Sequence, residues 1–344
     1  MADAFAMDRA LGALAGVAIG DAMGMPSQTM TADEITRHYV RITDFVAPCE
    51  AQVISAGLKA GTITDDMEQT LLLAQHLIDH AGAMQQQRWA ETLLNWERDT
   101  RARGVNDLLG PSTKRAVDAL QRGCPLEDAG REGTTNGAAM RIAPVGIANP
   151  AEPLQAFLDA VEDSCRLTHN TGLAIAAASA VAAVISRGIS GATFRDAVPF
   201  ALECARAGER RGAVPMEGSF VPKLSAALEL ADRANSDGLE VIAHKIGVSV
   251  AAFESVPMAF AIALRAEGSV WDAAVASANI GDDTDTIGAI ACGMLGAGCG
   301  LQALPQDKWA IVRDVNRLAL TDTAAGLLRL RTRLAHGRSA RSAP

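Results

Sequence analysis

Aromatic residues are scarce in this chain: eight Phe, four Trp and one Tyr make up 4% of 344 residues. A sheet leans on aromatic and β-branched side chains to cover its faces, so the shortage argues against a sheet protein. Basic charge is short too. The 31 Lys and Arg stand against 40 Asp and Glu, a formal net charge of −9. Neutralising phosphates takes a basic face, which argues against a general nucleic-acid binder. The acidic surplus suits a solvated cytoplasmic protein.

Cysteine chemistry is equally thin. Cys49, Cys124, Cys165, Cys204, Cys292 and Cys299 form no CxxC pair. That speaks against a zinc ribbon or a disulfide framework and for small core residues in a reducing compartment. The N-terminus lacks the basic start of a signal peptide. Three apolar runs, 10–20, 171–186 and 287–301, fall short of the ~20 residues a membrane span needs. They read as buried helices, and no membrane partner is expected. No GxGxxG follows a strand, no tandem repeat is convincing, and no interdomain linker interrupts the chain.

What the chain has is apolar residues, 49% of it, largely Ala, Leu, Val and Gly at helical spacing. That predicts one all-α domain of many short helices, spanning 1–336 with a frayed tail at 337–344. Helices are expected at 32–39, 66–81, 86–99, 112–121, 153–165, 171–187, 193–206, 217–235, 239–246, 255–266, 270–279, 286–300, 306–318 and 322–335. Before them Gly12, Gly16 and Gly20 recur every fourth residue on one face. Glycine weakens a helix, so another backbone is expected to approach that face closely. Turn-rich stretches begin at Arg101, Gly123 and Glu209.

Two acid clusters stand before apolar helices: Thr64-Asp65-Asp66 and Asp282-Asp283-Thr284-Asp285-Thr286. Thr and Asp cap helix N-termini, and Glu68 near the third helical position strengthens that reading of the first cluster. One cap cannot need three aspartates, however. If the clusters meet, mutual repulsion raises their pKa values unless cations neutralise them. Hard oxygen donors suit Mg²⁺ or Mn²⁺ rather than zinc. The pattern therefore suggests a carboxylate-bridged metal pair between two helix N-termini. His76 and His80 lie one turn apart but have no third His or Cys nearby, so they read as a partly exposed helix face.

Six segments in this order resemble the ADP-ribosylglycohydrolase family: GALAGVAIGDAMGMP (12–26), GTITDDMEQTLLLA (61–74), TNGAAMRIAPVG (135–146), LTHN (167–170), AAFESVPMAFAIAL (251–264) and GDDTDTIGAIACGMLGA (281–297). The resemblance implies an all-α fold around two divalent cations, Mg²⁺ or Mn²⁺. It assigns Thr64, Asp65, Asp66, Asp283, Asp285 and Thr286 as ligands. It implies hydrolysis of the bond at C1″ of ADP-ribose, freeing a side chain such as arginine or serine. Asp66 or Asp283 is the candidate base toward water. Gly133, Thr134, Thr135, Asn136 and Gly137 are expected to hold the diphosphate, and turn chemistry alone would also explain Asn-Gly. His169 matches a family histidine near the substrate, and Pro257 is read as packing at a helix start.

The chain departs from the family in places. Gln28 stands where relatives often have a metal-binding acid, and Asp282 adds a carboxylate where they have Gly. Asp282 is expected to offset Gln28 electrostatically or to face solvent. Glu132 and Thr135 replace a Gly-rich approach to the diphosphate. Three functions follow: a hydrolase acting on an ADP-ribosylated protein, a hydrolase of a small riboside such as a nucleoside or nucleotide, or a non-enzymatic crystallin-like relative.

Overall fold

Apolar side chains three and four residues apart bury one face per turn, and the chain folds as helix upon helix. The computed structural model describes residues 2–102, 110–216, 218–232, 238–266 and 268–341. Among these there is no strand, only the bridges Met30–Asp282, Thr135–Ala251 and Thr171–Val214. Most of the expected loop from Arg101, both ends of the helix expected over 217–235 and residues 342–344 lie outside the described residues. The last helix runs Leu320–Arg341.

Ala32–Tyr39 and Leu239–Ile246 have the bounds the periodicity predicts. The first is fixed by a capping box. Thr31 accepts the Glu34 N–H, and Glu34 accepts the Thr31 N–H. No helix is predicted over 137–148, yet Gly137–Met140 and Ala143–Ala148 are helical. Both are too short to show a period. Pro257 is not at a helix start either. Its helix is Ala252–Arg265, begun earlier because the Ala252 N–H bonds to the Thr134 carbonyl.

The helix Gly172–Ile189 is central: all its residues except Arg187 are buried. It is long and apolar enough to cross a membrane, but 94% of it is buried inside the fold.

The seam that positions the site joins the first helix, Ala2–Gly24, to the second acid helix, Thr284–Cys299. A Cβ on Gly12, Gly16 or Gly20 would stand 2.4, 2.2 and 2.1 Å from the carbonyl oxygens of Gly296, Cys292 and Gly288. One on Gly24 would stand 2.4 Å from the Asp285 backbone. In return, Gly288 and Gly296 face the carbonyls of Gly20 and Gly12. The helices run antiparallel in backbone contact, as the glycine spacing requires. Arg9 locks the far end by donating to the carbonyls of Gly188, Ala192 and Ala297 at 3.1–3.2 Å.

The seam leaves no room for a methyl group. Gly20→Ala is expected to destabilise the fold by roughly 3 kcal/mol or more in urea unfolding. Gly238→Ala, with open space around it, is expected to change stability by no more than about 0.5 kcal/mol. Equal midpoints for the two variants would refute the tight seam.

Candidate active site

Asp21 lies in the last turn of the first helix, on the wrong end of the dipole for an anion, and is fully buried. The first acid helix, Asp65–Asp79, explains it. Its N-cap, Thr64, makes no side-chain cap bond. Instead the Asp21 carboxylate accepts the Thr64 N–H at 2.9 Å, the Thr64 hydroxyl at 2.8 Å and the Met67 N–H at 3.1 Å. A carboxylate from another helix thus caps this one. The second acid helix also lacks a side-chain bond from its N-cap, Asp283. Capping therefore does not account for Asp65, Asp66 and Asp283. Sequence reasoning missed Asp21, and its signal was an acid closing an apolar helix.

The two clusters meet. The Thr64 hydroxyl lies 3.3 Å from Asp66 Oδ2 and 3.5 Å from Asp285 Oδ2. Thr286 Oγ1 donates to Asp283 Oδ1 at 3.2 Å, and Asn136 Nδ2 donates to Asp283 Oδ2. Asp65, Asp283, Asp285 and Thr286 line one cleft of about 440 Å³, with Gln28, Lys114, Asn136, Gly137, Met140 and Val250 among the other lining residues. Asp66 sits deeper, 1% exposed, and its Oδ1 has no hydrogen-bond partner.

Burial drives the electrostatics. It pushes Asp21 up to about 8, helped by Asp285, and Asp285 up to about 6. Asp65, Asp66 and Asp283 are held well above the usual carboxylate range, first by burial and then by Asp285. Among the described residues no three His, Cys, Asp or Glu form a ready cation cage. The acids are clustered, but several of their oxygens are turned to Thr, Asn and Gln donors.

The loop differs from expectation. The Gly133 N–H bonds to the Gly130 carbonyl, the Thr135 N–H to Ser112 Oγ and the Asn136 N–H to the Val250 carbonyl. Those three donors are already engaged and do not form an open cradle. Gly133 packs against the backbone of Thr168 and His169, and Thr134 is exposed. Only Asn136 and Gly137 of the five line the cleft. Glu132 is exposed and stands 4.0 Å from Arg115.

His169 is fully buried behind the loop, between Thr168 Oγ1 at 2.7 Å and Thr135 Oγ1 at 3.0 Å. Burial and then Arg141 hold its pKa well below normal, so it is neutral. The ring also lies against Gly137, where a Cβ would stand 3.0 Å from it, so His169 is directly behind a residue of the cleft lining. Asp282 is half-buried and does not stand on the cleft wall. Its link to the Gln28 segment is through backbone: its N–H meets the Met30 carbonyl and its carbonyl accepts the Thr29 N–H. Its carboxylate still acts on the site through space, as one of the charges that raise Asp283. His76 is also buried, stacked on His80 at 4.4 Å, rather than on an exposed face.

Each raised carboxyl binds its proton more tightly when folded than when unfolded. Stability from these groups therefore falls as pH rises from about 4 toward about 8. In chelator, the melting temperature is expected to drop between pH 5 and pH 8 by scanning calorimetry, and the slope is expected to flatten in Asp21→Asn. An unchanged slope in that variant would count against the buried-charge account.

The family model described as ADP-ribosylglycohydrolase matches residues 2–339. The chain is 33% identical to the uncharacterized protein YegU of Escherichia coli (strain K12), over 94% of this chain and 97% of that one. It is 26% identical to the ADP-ribosylarginine hydrolase Tri1 of Pseudomonas putida (strain GB-1), over 91% and 77%. A solved ADP-ribosylglycohydrolase-related protein complex superposes with a TM-score of 0.66 at 25% identity, covering 96% of this chain and 99% of that chain. With a family model spanning nearly every residue and an acid-lined cleft where its motifs meet, the chain belongs to the ADP-ribosylglycohydrolase family.

Proposed function

We propose that the chain is a metal-dependent glycosidase that releases ADP-ribose from a modified protein side chain, arginine in the first instance. One observation carries the reading: Asp65, Asp283, Asp285 and Thr286 from two distant helices line a single cleft. The similarity to an ADP-ribosylarginine hydrolase favours arginine over serine.

The donor set fits two divalent cations, Mg²⁺ or Mn²⁺. Hard carboxylate and hydroxyl oxygens are massed here, and the buried Asp66 Oδ1 lacks a partner. Thr64, Asp65, Asp66, Asp283, Asp285 and Thr286 would hold them. Bound there, the cations would supply charge stabilisation and orient the ribose hydroxyls. The residues do the rest. Asp283 faces the cleft, whereas Asp66 lies behind it, so Asp283 is the better base of the two. Asn136 and Thr286 fix the Asp283 carboxylate. Asp283 takes a proton from water as oxygen attacks C1″. The C1″–N bond breaks, and the departing guanidine keeps the electron pair and regains a proton.

The engaged N–H groups of Gly133, Thr135 and Asn136 favour a second reading, a small riboside without the full diphosphate. A crystallin-like role fits less well. Burying several like charges destabilises a fold, and a purely structural protein gains nothing from it.

With Mn²⁺ present, an ADP-ribosylarginine peptide is expected to release ADP-ribose, read by chromatography. Chelator is expected to stop the release, and Asp285→Asn to cut kcat/KM by at least about 100-fold. Release of free base from nucleosides instead would transfer the assignment to the small-riboside reading.

A further inference from the structure

Arg141 is 1% exposed and sits in the core with no carboxylate in hydrogen-bond contact. A buried guanidinium is costly unless its donors are used. Here they point two ways. Nη1 donates to Gln69 Oε1 at 2.7 Å, and Nη2 donates to Thr168 Oγ1 at 2.6 Å. The Trp89 ring lies 5.7 Å from the guanidinium carbon.

Both arms continue to the cleft. Gln69 has its oxygen occupied by Arg141, so its Nε2 is free to donate to Asp65 Oδ2, at 3.0 Å. Thr168 Oγ1, which accepts from Arg141, also shares a hydrogen bond with His169 Nδ1 at 2.7 Å. The other ring nitrogen, Nε2, shares a hydrogen bond with Thr135 Oγ1 at 3.0 Å, so a neutral His169 donates through one nitrogen and accepts through the other. All six residues are at most 9% exposed. One arm ends on an acid of the cleft wall, and the other on the residue before Asn136 and Gly137, which line the same cleft.

We propose that Arg141 is a positioning residue that orients two parts of the cleft lining, the Asp65 carboxylate through Gln69 and the 135–137 loop through Thr168 and His169. Arg suits this place because its planar fork serves two acceptors at once, which a Lys ammonium cannot do in the same geometry. The inference rests on the hydrolase reading only for what the cleft binds. The connectivity of the relay stands on the hydrogen bonds themselves.

Single-arm variants separate positioning from packing. Thr168→Val keeps the shape and removes one hydroxyl. It is expected to weaken ADP-ribose binding about fivefold by calorimetry, to leave Mn²⁺ affinity unchanged, and to speed amide exchange at residues 133–137. Gln69→Leu is expected to weaken Mn²⁺ binding about fivefold while leaving loop exchange unchanged. Arg141→Lys is expected to lose both, and retained melting cooperativity would show that each variant folds. If both single-arm variants moved all three readouts together, or moved none, Arg141 would be a packing residue and the proposal would fall. Wild type that bound Mn²⁺ but no ADP-ribose would overturn the hydrolase reading alone. Loop exchange and Mn²⁺ affinity would still decide the relay.

Discussion

The contact on which the rest depends is backbone against backbone, between the first helix and Thr284–Cys299. Side chains would hold these helices apart; glycines at 12, 16, 20 and 24 let them touch. Their antiparallel register puts the C-terminal end of one beside the N-terminal end of the other, a favourable meeting of dipoles. It also brings Asp21 beside Asp285. A shift of one turn, about 5.4 Å, would separate them. The site is therefore a consequence of the seam.

What the seam assembles is electrostatically expensive. Several carboxyls lie in low dielectric within one another's fields, and burial is the larger cause at each. The chain lessens the cost where it can. Asp21 takes over the orphan N–H groups of the first acid helix, so its charge is met by a helix N-terminus. Asp283 is held by Asn136 and Thr286. Asp66 is left with an oxygen that no described residue satisfies.

The loop part of the cleft lining is built from a different economy of hydrogen bonds. The loop from Gly133 to Gly137 is tied down by Ser112, Val250 and the Thr135–Ala251 bridge. Behind it, His169 is neutral and doubly engaged, and Arg141 anchors the chain of bonds that reaches it. This part is rigid because its polar groups are satisfied internally, which limits how many remain for a ligand.

Much of this was legible in the residues. Apolar spacing dictated an all-helical chain, the four-residue glycine period announced a close helix contact, and two acid clusters at helix starts marked the site. Their meeting was not legible, because more than 200 residues separate Thr64 from Asp285 and no local pattern encodes a long-range register. Nor was Asp21, whose neighbours in sequence are apolar and whose partners come from another helix. The depth of His169 and the engaged loop amides were hidden for the same reason. A sequence states which donors and acceptors exist, and only packing decides which of them satisfy one another. Sequence alone determined most of the helices, the donor chemistry and the glycine face that the seam uses. Tertiary structure decided which oxygens face the cleft, because burial and hydrogen-bond partners depend on neighbours far along the chain.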